Sequence, residues 1–335
     1  MKKIEENGEL GTLKRTSLHK ILKKIGFKFD KRGRNSLLTD REDIFVWRRN
    51  YLRAIKNARE AGKKIYYLDE TWLNEGHTTS KTWKDTTVTS ARDAFVKGLS
   101  TGLKNPSGKG KRLIITHIGS EEGFVEGALH VFESKKQGDY HQEMNAENFE
   151  KWFIETIEKL PENAVIVMDN ASYHSRKVER LPTASSKKQE IIEWLKEKRI
   201  QFEENLLKRE LLLIIKEHRK RYEACVIDEI AKRKNKTVIR LPPYHCELNP
   251  IELIWAQIKG DVASNNVTFK MNDVKKLFHA AVKKITPEKW KKCVKYVEDV
   301  IEPKMNQMDR NFEGLSEKFI INVGNDSDMS ESESE

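Results

Sequence analysis

Three acidic residues stand where they could do chemistry together: Asp69, Asp169 and Glu252. Lys64-Ile-Tyr-Tyr-Leu-Asp and Ala164-Val-Ile-Val-Met-Asp each read as an apolar strand closing on an aspartate. Glu252 falls in the first turn of a helix opened by Asn249-Pro-Ile-Glu, after the strand Thr237-Val-Ile-Arg-Leu and the pair Pro242-Pro243. In an α/β sheet, strand C-termini and the next helix N-terminus meet on one rim. Carboxylates gathered there repel, by about 4 kcal/mol for two unit charges roughly 4 Å apart at an effective dielectric near 20. Such a cluster persists by taking up a proton or by binding hard cations. Two Mg²⁺ or Mn²⁺ ions about 3.5–4 Å apart would neutralise it and clamp the attacking and leaving oxygens of a phosphodiester displacement.

Each acid also has a plainer reading. Asp69 and Asp169 could form turns at strand ends. Glu252 could complete a capping box, with Asn249 as cap and Pro250 first in the helix. Capping and metal binding do not exclude each other, since both put the carboxylate at the helix mouth.

The elements that must position these acids follow from the pattern. Thr16 to Gly26 reads as a short helix with the stripe Leu18, Ile21, Leu22 and Ile25, stopped by Gly26. Lys28 to Arg34 follows as a basic turn or wing, then a helix from Arg41 to Glu60 with Ile44, Trp47, Tyr51, Leu52 and Ile55 inward. Beyond Lys64 come the strands Leu113–Ile118 and Gly127–Phe132, joined by a turn at Ser120–Gly123. A helix over Ala146–Leu160 follows, and then a helical stretch from Lys187 to about Lys234. After the helix at Pro250, two further helices start at Asn272 and at Thr286-Pro287. The whole reads as an α/β chain in three parts. Residues 1–62 are a small all-α, partial helix-turn-helix DNA-binding domain. Residues 63–323 are a mixed sheet flanked by helices, with a helical insertion at about 175–235. Residues 324–335 are an acidic tail expected to be disordered.

Charge supports a polyanion-binding head. The net charge is +11, and residues 1–64, with 19 basic and eight acidic residues, carry all of the excess. Lys14, Arg15, His19, Lys20, Lys23, Lys24, Lys31, Arg32 and Arg34 are the candidate DNA contacts there. The remaining body is neutral by count. Three scattered cysteines argue against a disulfide framework and point to a reducing compartment. There is no apolar run of membrane-spanning length and no N-terminal secretory pattern. Lys232-Arg-Lys-Asn-Lys is a weak nuclear-localisation candidate.

The words around the acids carry more. Leu68-Asp-Glu-Thr-Trp72, Met168-Asp-Asn-Ala-Ser-Tyr-His174 and Leu241-Pro-Pro-Tyr-His-Cys-Glu-Leu-Asn-Pro-Ile-Glu-Leu-Ile-Trp255 occur in that order. Together they resemble the mariner-like superfamily of DDE transposases. The resemblance implies a ribonuclease H-like catalytic domain in which Asp69, Asp169 and Glu252 bind two Mg²⁺ or Mn²⁺ ions that drive DNA strand cleavage and strand transfer. It implies double-stranded DNA as partner (terminal inverted repeats and target), a homodimer on DNA, and a nuclear location. Two departures stand out. Between the second and third acids lie 82 residues, far more than the family has, and the excess maps onto the helical insertion, expected to leave the rim intact. The head accommodates one helix-turn-helix unit where the family has two. That departure favours an alternative: a domesticated, transposase-derived DNA-binding protein without transposition activity. A ribonuclease H-like nuclease acting on other nucleic acids is a third reading.

His174 could touch DNA or a metal-bound phosphate, or make a rim hydrogen bond. Glu70 faces away from Asp69 if the strand continues, so it is not expected as a ligand. Glu247 could substitute as third acid, but it precedes the helix. Trp72 and Trp255 read as packing rather than base-stacking residues. Cys225, His245, Cys246 and Cys293 lack zinc-site spacing, and the Gly102–Lys109 stretch lacks the spacing of an ATP-binding loop.

Overall fold

A computed structural model describes residues 15–26, 41–81, 87–98, 105–134, 145–203 and 205–318. Lys14, Lys31, Arg32, Arg34, the basic wing and the acidic tail lie outside these residues. The chain divides into two units, residues 1–41 and 42–335. In the first, α1 (Arg15–Lys24) is the helix expected from the pattern. Gly26 closes it at φ +88°, a conformation that L side chains rarely adopt. His19, Lys20, Lys23 and Lys24 are exposed. Its apolar stripe is not a buried face: Leu18 and Leu22 are half-buried, and Ile21 and Ile25 are exposed.

The second unit opens with α2 (Glu42–Glu60). The pattern had assigned this helix to the head, but its buried residues Tyr51, Leu52 and Ile55 share a core with Ile251, Trp255 and Ile258. Burial of that face therefore makes α2 part of the larger unit. Among the described residues six strands follow: β1 (Ile65–Asn74), β2 (Arg112–Ser120), β3 (Gly123–Phe124), β4 (His130–Glu133), β5 (Val165–Met168) and β6 (Thr237–Arg240). They form one mixed sheet in the order β3-β2-β1-β5-β6, with β4 also on β2. β1 runs antiparallel to β2 and parallel to β5, and β5 runs parallel to β6.

Side chains alternate across this sheet, as strand geometry requires. Tyr67, Leu73, Ile115 and Val167 pack on one face with α2, α8 (Pro250–Asn265), α9 (Met271–Lys283) and α10 (Pro287–Tyr296). Tyr66, Leu68, Ile114, Ile166 and Met168 pack on the other with α4 (Ala146–Ile157) and α7 (Val226–Arg233). A short helix, α3 (Ala91–Val96), precedes β2. A π-helical turn over Val297–Ile301 leads into α11 (Glu302–Lys318), an element the pattern had not shown. Among the described residues no helix is long and apolar enough to cross a membrane.

The insertion is not one continuous helix. It holds α5 (Lys188–Glu197) and α6 (Lys208–Tyr222), broken where Arg199 takes φ +53°. Ile191, Trp194, Leu195, Leu211 and Ile215 give it a core of its own. Its base is closed by a bridge between Lys177 and Cys225. Beyond that bridge, α7 returns to the body through buried Ile227 and Ala231 and supplies the crossover that a parallel strand pair needs. The rim stays intact, because β5 and β6 pair in register from Val165↔Thr237 to Met168↔Arg240.

Candidate active site

β1 does not end at Asp69; it continues to Asn74, paired with β2 throughout. What ends there is its pairing with β5. The parallel register runs Ile65↔Val165, Tyr66↔Ile166 and Tyr67↔Val167. The same offset puts Asp69 and Asp169 level with each other, two positions beyond the last pair. The chain thus brings the first two acids together where two parallel strands part. Glu252 lies in the first turn of α8. Asn249, which the capping-box reading made a side-chain cap, forms no such bond. It is buried instead, and its Nδ2 donates to the Leu68 carbonyl at 3.1 Å, tying the mouth of α8 to the residue before Asp69. Asn170 Nδ2 likewise donates to the Leu241 carbonyl at 2.6 Å, tying the loop after Asp169 to the end of β6.

Each acid's proton affinity reports its neighbours. Burial, then the charges of Glu252, Glu70 and Asp169, raise the Asp69 carboxyl well above its usual range. Burial raises Glu252 as well; Lys259 opposes this and Asp169 adds to it. For Asp169 burial also pushes upward, but the hydrogen bond and charge of His174 outweigh it and the carboxyl is lowered. Lys259, two helical turns after Glu252, is lowered by burial against the pull of Glu252 and Asp69. Its Nζ lies 5.3 Å from the Trp72 ring centroid, and the Arg112 guanidinium lies 5.9 Å from it.

His174 makes the rim hydrogen bond that was one of its two readings, and more. It is 0% exposed, with Nδ1 2.6 Å from Asp169 Oδ1 and Nε2 3.0 Å from Glu70 Oε1. Glu70 lies on the opposite face from Asp69, as the continuing strand requires, and meets the Tyr173 hydroxyl at 3.4 Å. Arg240 binds the same loop from behind, through the His174 carbonyl (2.9 Å), the Ser175 hydroxyl (3.2 Å) and Asp228 (2.7 Å). Glu247 is held by His245 Nδ1 at 2.9 Å, while His245 Nε2 meets buried Arg48 at 3.0 Å. Trp255 is fully buried packing, whereas Trp72 is 39% exposed. The residues that sequence reasoning missed are Lys259, Asn249 in its tying role, Arg240, and Glu70 as a partner of His174. Only Lys259 left a usable signal, its spacing on the face of α8 that carries Glu252.

The donor set suits a hard divalent cation. It consists of carboxylate oxygens, two of the three with raised proton affinity. Apart from the Glu70 backbone N–H at Asp69, neither Asp69 nor Glu252 has a hydrogen-bonding or ion-pair partner among the described residues. Among the described residues no group of three His, Cys, Asp or Glu is already gathered closely enough to hold an ion.

Comparison with known proteins gives the family and the fold. The family model described as "DDE superfamily endonuclease" matches residues 104–275, slightly more than half of the chain, including Asp169 and Glu252; Asp69 lies ahead of the matched segment. The fold is similar to that of the Mos1 mariner paired-end complex with Mn (TM-score 0.54, 14% identity, covering 89% of this chain and 71% of that one). It is also similar to the Mos1 transposase paired-end complex with left transposon end (TM-score 0.53, 14% identity, covering 89% and 71%). No curated protein sequence matches significantly. A family model over more than half of the chain shows that it belongs to the DDE superfamily of endonucleases, on a ribonuclease H-like fold.

Proposed function

We propose that the chain is a transposase that cleaves DNA at transposon ends and joins the freed strand to target DNA. The observation that carries this reading is the convergence of Asp69 and Asp169, level on parting parallel strands, with Glu252 tied to the same strand through Asn249. Asp69, Asp169 and Glu252 would hold two Mg²⁺ or Mn²⁺ ions; Mos1 is known in complexes with Mg and with Mn. Bound there, the ions would supply an activated water or 3′-hydroxyl and positive charge at the leaving oxygen. Lys259 sets a cation beside Glu252 and Asp69, where it can meet a phosphate. Asp169 enters the site already oriented by His174. The exposed bases of α1, with the basic residues around it, would bind terminal-repeat DNA. A homodimer holding two DNA ends in the nucleus completes the reading.

The test is strand cleavage of a plasmid carrying the element's own terminal repeats, with Mg²⁺ or Mn²⁺. The parent should nick at the repeat ends, and Asp169→Asn and Glu252→Gln should not. Equal cutting by either variant removes the catalytic assignment. DNA binding with no metal-dependent nicking by the parent would mark a domesticated binding protein instead.

A further inference from the structure

The buried Glu70 and His174 have no place in the chemistry of three metal-binding acids, yet they are built into the site. A carboxylate only 8% exposed is costly unless it is paired and hydrogen-bonded. Glu70 is held at both oxygens, by His174 Nε2 at 3.0 Å and by the Tyr173 hydroxyl at 3.4 Å, on the sheet face opposite Asp69. His174 bridges two carboxylates with its two ring nitrogens, and the Phe149 ring packs against it with centroids 4.1 Å apart. At the far end, both hydrogen bonds to the Asp169 carboxylate fall on one oxygen. His174 Nδ1 reaches Oδ1 at 2.6 Å, and the Ala171 backbone N–H donates to the same Oδ1 at 2.9 Å. Oδ2 carries neither, and the Asp169 side chain is 48% exposed.

We propose that Glu70 and His174 are positioning residues, a buried brace that turns Asp169 so that Oδ2 alone is presented to a divalent cation. Groups that hydrogen-bond a metal ligand fix its orientation, and their loss typically costs about 10- to 100-fold in metal affinity or activity. Mg²⁺ demands near-ideal octahedral geometry. A loosened Asp169 should therefore harm Mg²⁺ use more than Mn²⁺ use. The proposal rests on Asp169 being a metal ligand, and its test separates the two.

Mn²⁺ is titrated into the full chain and followed by electron paramagnetic resonance, with circular dichroism as the check on folding. His174→Leu should weaken Mn²⁺ binding about 10- to 100-fold. His174→Asn puts an amide N–H near the Nδ1 position and should recover most of that loss. Glu70→Leu should weaken binding less than His174→Leu, because the bond to Asp169 survives without its anchor. In cleavage assays the His174→Leu and Glu70→Leu variants should lose more activity with Mg²⁺ than with Mn²⁺. Parental Mn²⁺ affinity in a folded His174→Leu or Glu70→Leu chain overturns the proposal. So does a folded His174→Asn chain that binds as poorly as His174→Leu. If Asp169→Asn binds Mn²⁺ like the parent, the ligand assignment itself falls, and the brace with it.

Discussion

The two sides of the acidic rim are built differently. Asp169 is held by its own surroundings: His174 and the Ala171 N–H fix one oxygen, and Arg240 fixes the loop behind it. Asp69 and Glu252 are positioned by the Asn249 tie to Leu68, and among the described residues their carboxylates accept only the Glu70 backbone N–H at Asp69. The proton affinities move in opposite directions accordingly, lowered at Asp169 and raised at Asp69 and Glu252. One acid is organised before any cation arrives, while the other two are held in a state that a cation would relieve. A site divided in this way can keep one ligand rigid and let binding draw in the rest.

The largest effect that separates these roles from ordinary surface acids is on cleavage. Asp69→Asn, Asp169→Asn and Glu252→Gln should each cut DNA at least about 10³-fold more slowly, as several kcal/mol of lost metal-dependent stabilisation requires. Near-parental cutting by Asp69→Asn would confine the chemistry to the segment that matches the family model.

Stability without metal sharpens the contrast, because the sign should differ. Asp69→Asn removes a crowded buried charge and should raise the melting temperature, whereas Asp169→Asn takes the charge out of the bond to His174 and should lower it, with a stability loss of about 1 kcal/mol. The pH dependence follows the same logic. Groups raised in the folded state, from usual values of 3.8 for Asp69 and 4.5 for Glu252, stabilise fully below those values. They lose that contribution as pH rises through the raised ones. Asp169, lowered, contributes above its usual 3.8 and loses it as pH falls through the folded value. Mn²⁺ should raise the parent's melting temperature and have little effect on Asp69→Asn. Thermal unfolding with and without Mn²⁺ measures all of this, and equal shifts in the two aspartate variants would erase the distinction.

The sequence revealed the acids more fully than the frame that orients them. The apolar runs ending at Asp69 and Asp169 were legible because buried parallel strands are continuously hydrophobic. The motif around Asn249-Pro-Ile-Glu252 placed the third acid correctly on a helix mouth. The continuation of β1 to Asn74 was not legible, because Glu70-Thr-Trp-Leu-Asn mixes polar and apolar residues, and what pairs it is β2, distant in sequence. Glu70 read as a bystander on the far face, since alternation gives a side chain's direction but not its partner. α2 looked like part of the head because charge is a local signal, whereas its attachment depends on Tyr51, Leu52 and Ile55 meeting residues two hundred positions away. Asn249 fitted a capping box by spacing, and only the tertiary position of Leu68 drew its amide elsewhere.

That tie is the next place to break the loosely held side. Asn249 is 2% exposed, and Asn249→Ala leaves the Leu68 carbonyl without its donor. A buried acceptor stranded in this way costs about 1–3 kcal/mol. Metal affinity should fall with stability, because the link between the Asp69 strand and α8 is gone. A matching loss of stability with unchanged Mn²⁺ affinity would show that the tie serves the fold alone.

The smallest effect concerns Trp72, which flanks the same side. Its ring carries Lys259 at 5.3 Å and Arg112 at 5.9 Å. Partly exposed cation–π contacts are each worth about 0.5–1 kcal/mol. Trp72→Leu keeps an apolar side chain but removes the π face. If the ring is packing that steadies Lys259, the variant should lose about that much stability, with unchanged affinity for single-stranded DNA. If bases stack on the exposed part of the ring, affinity should fall by about 1–3 kcal/mol, the usual worth of a base–aromatic contact. Fluorescence anisotropy with a short single strand separates the two outcomes. The packing result would leave Lys259 as the group on this side that meets DNA, so the loosely held half of the rim would contact its substrate through charge rather than stacking.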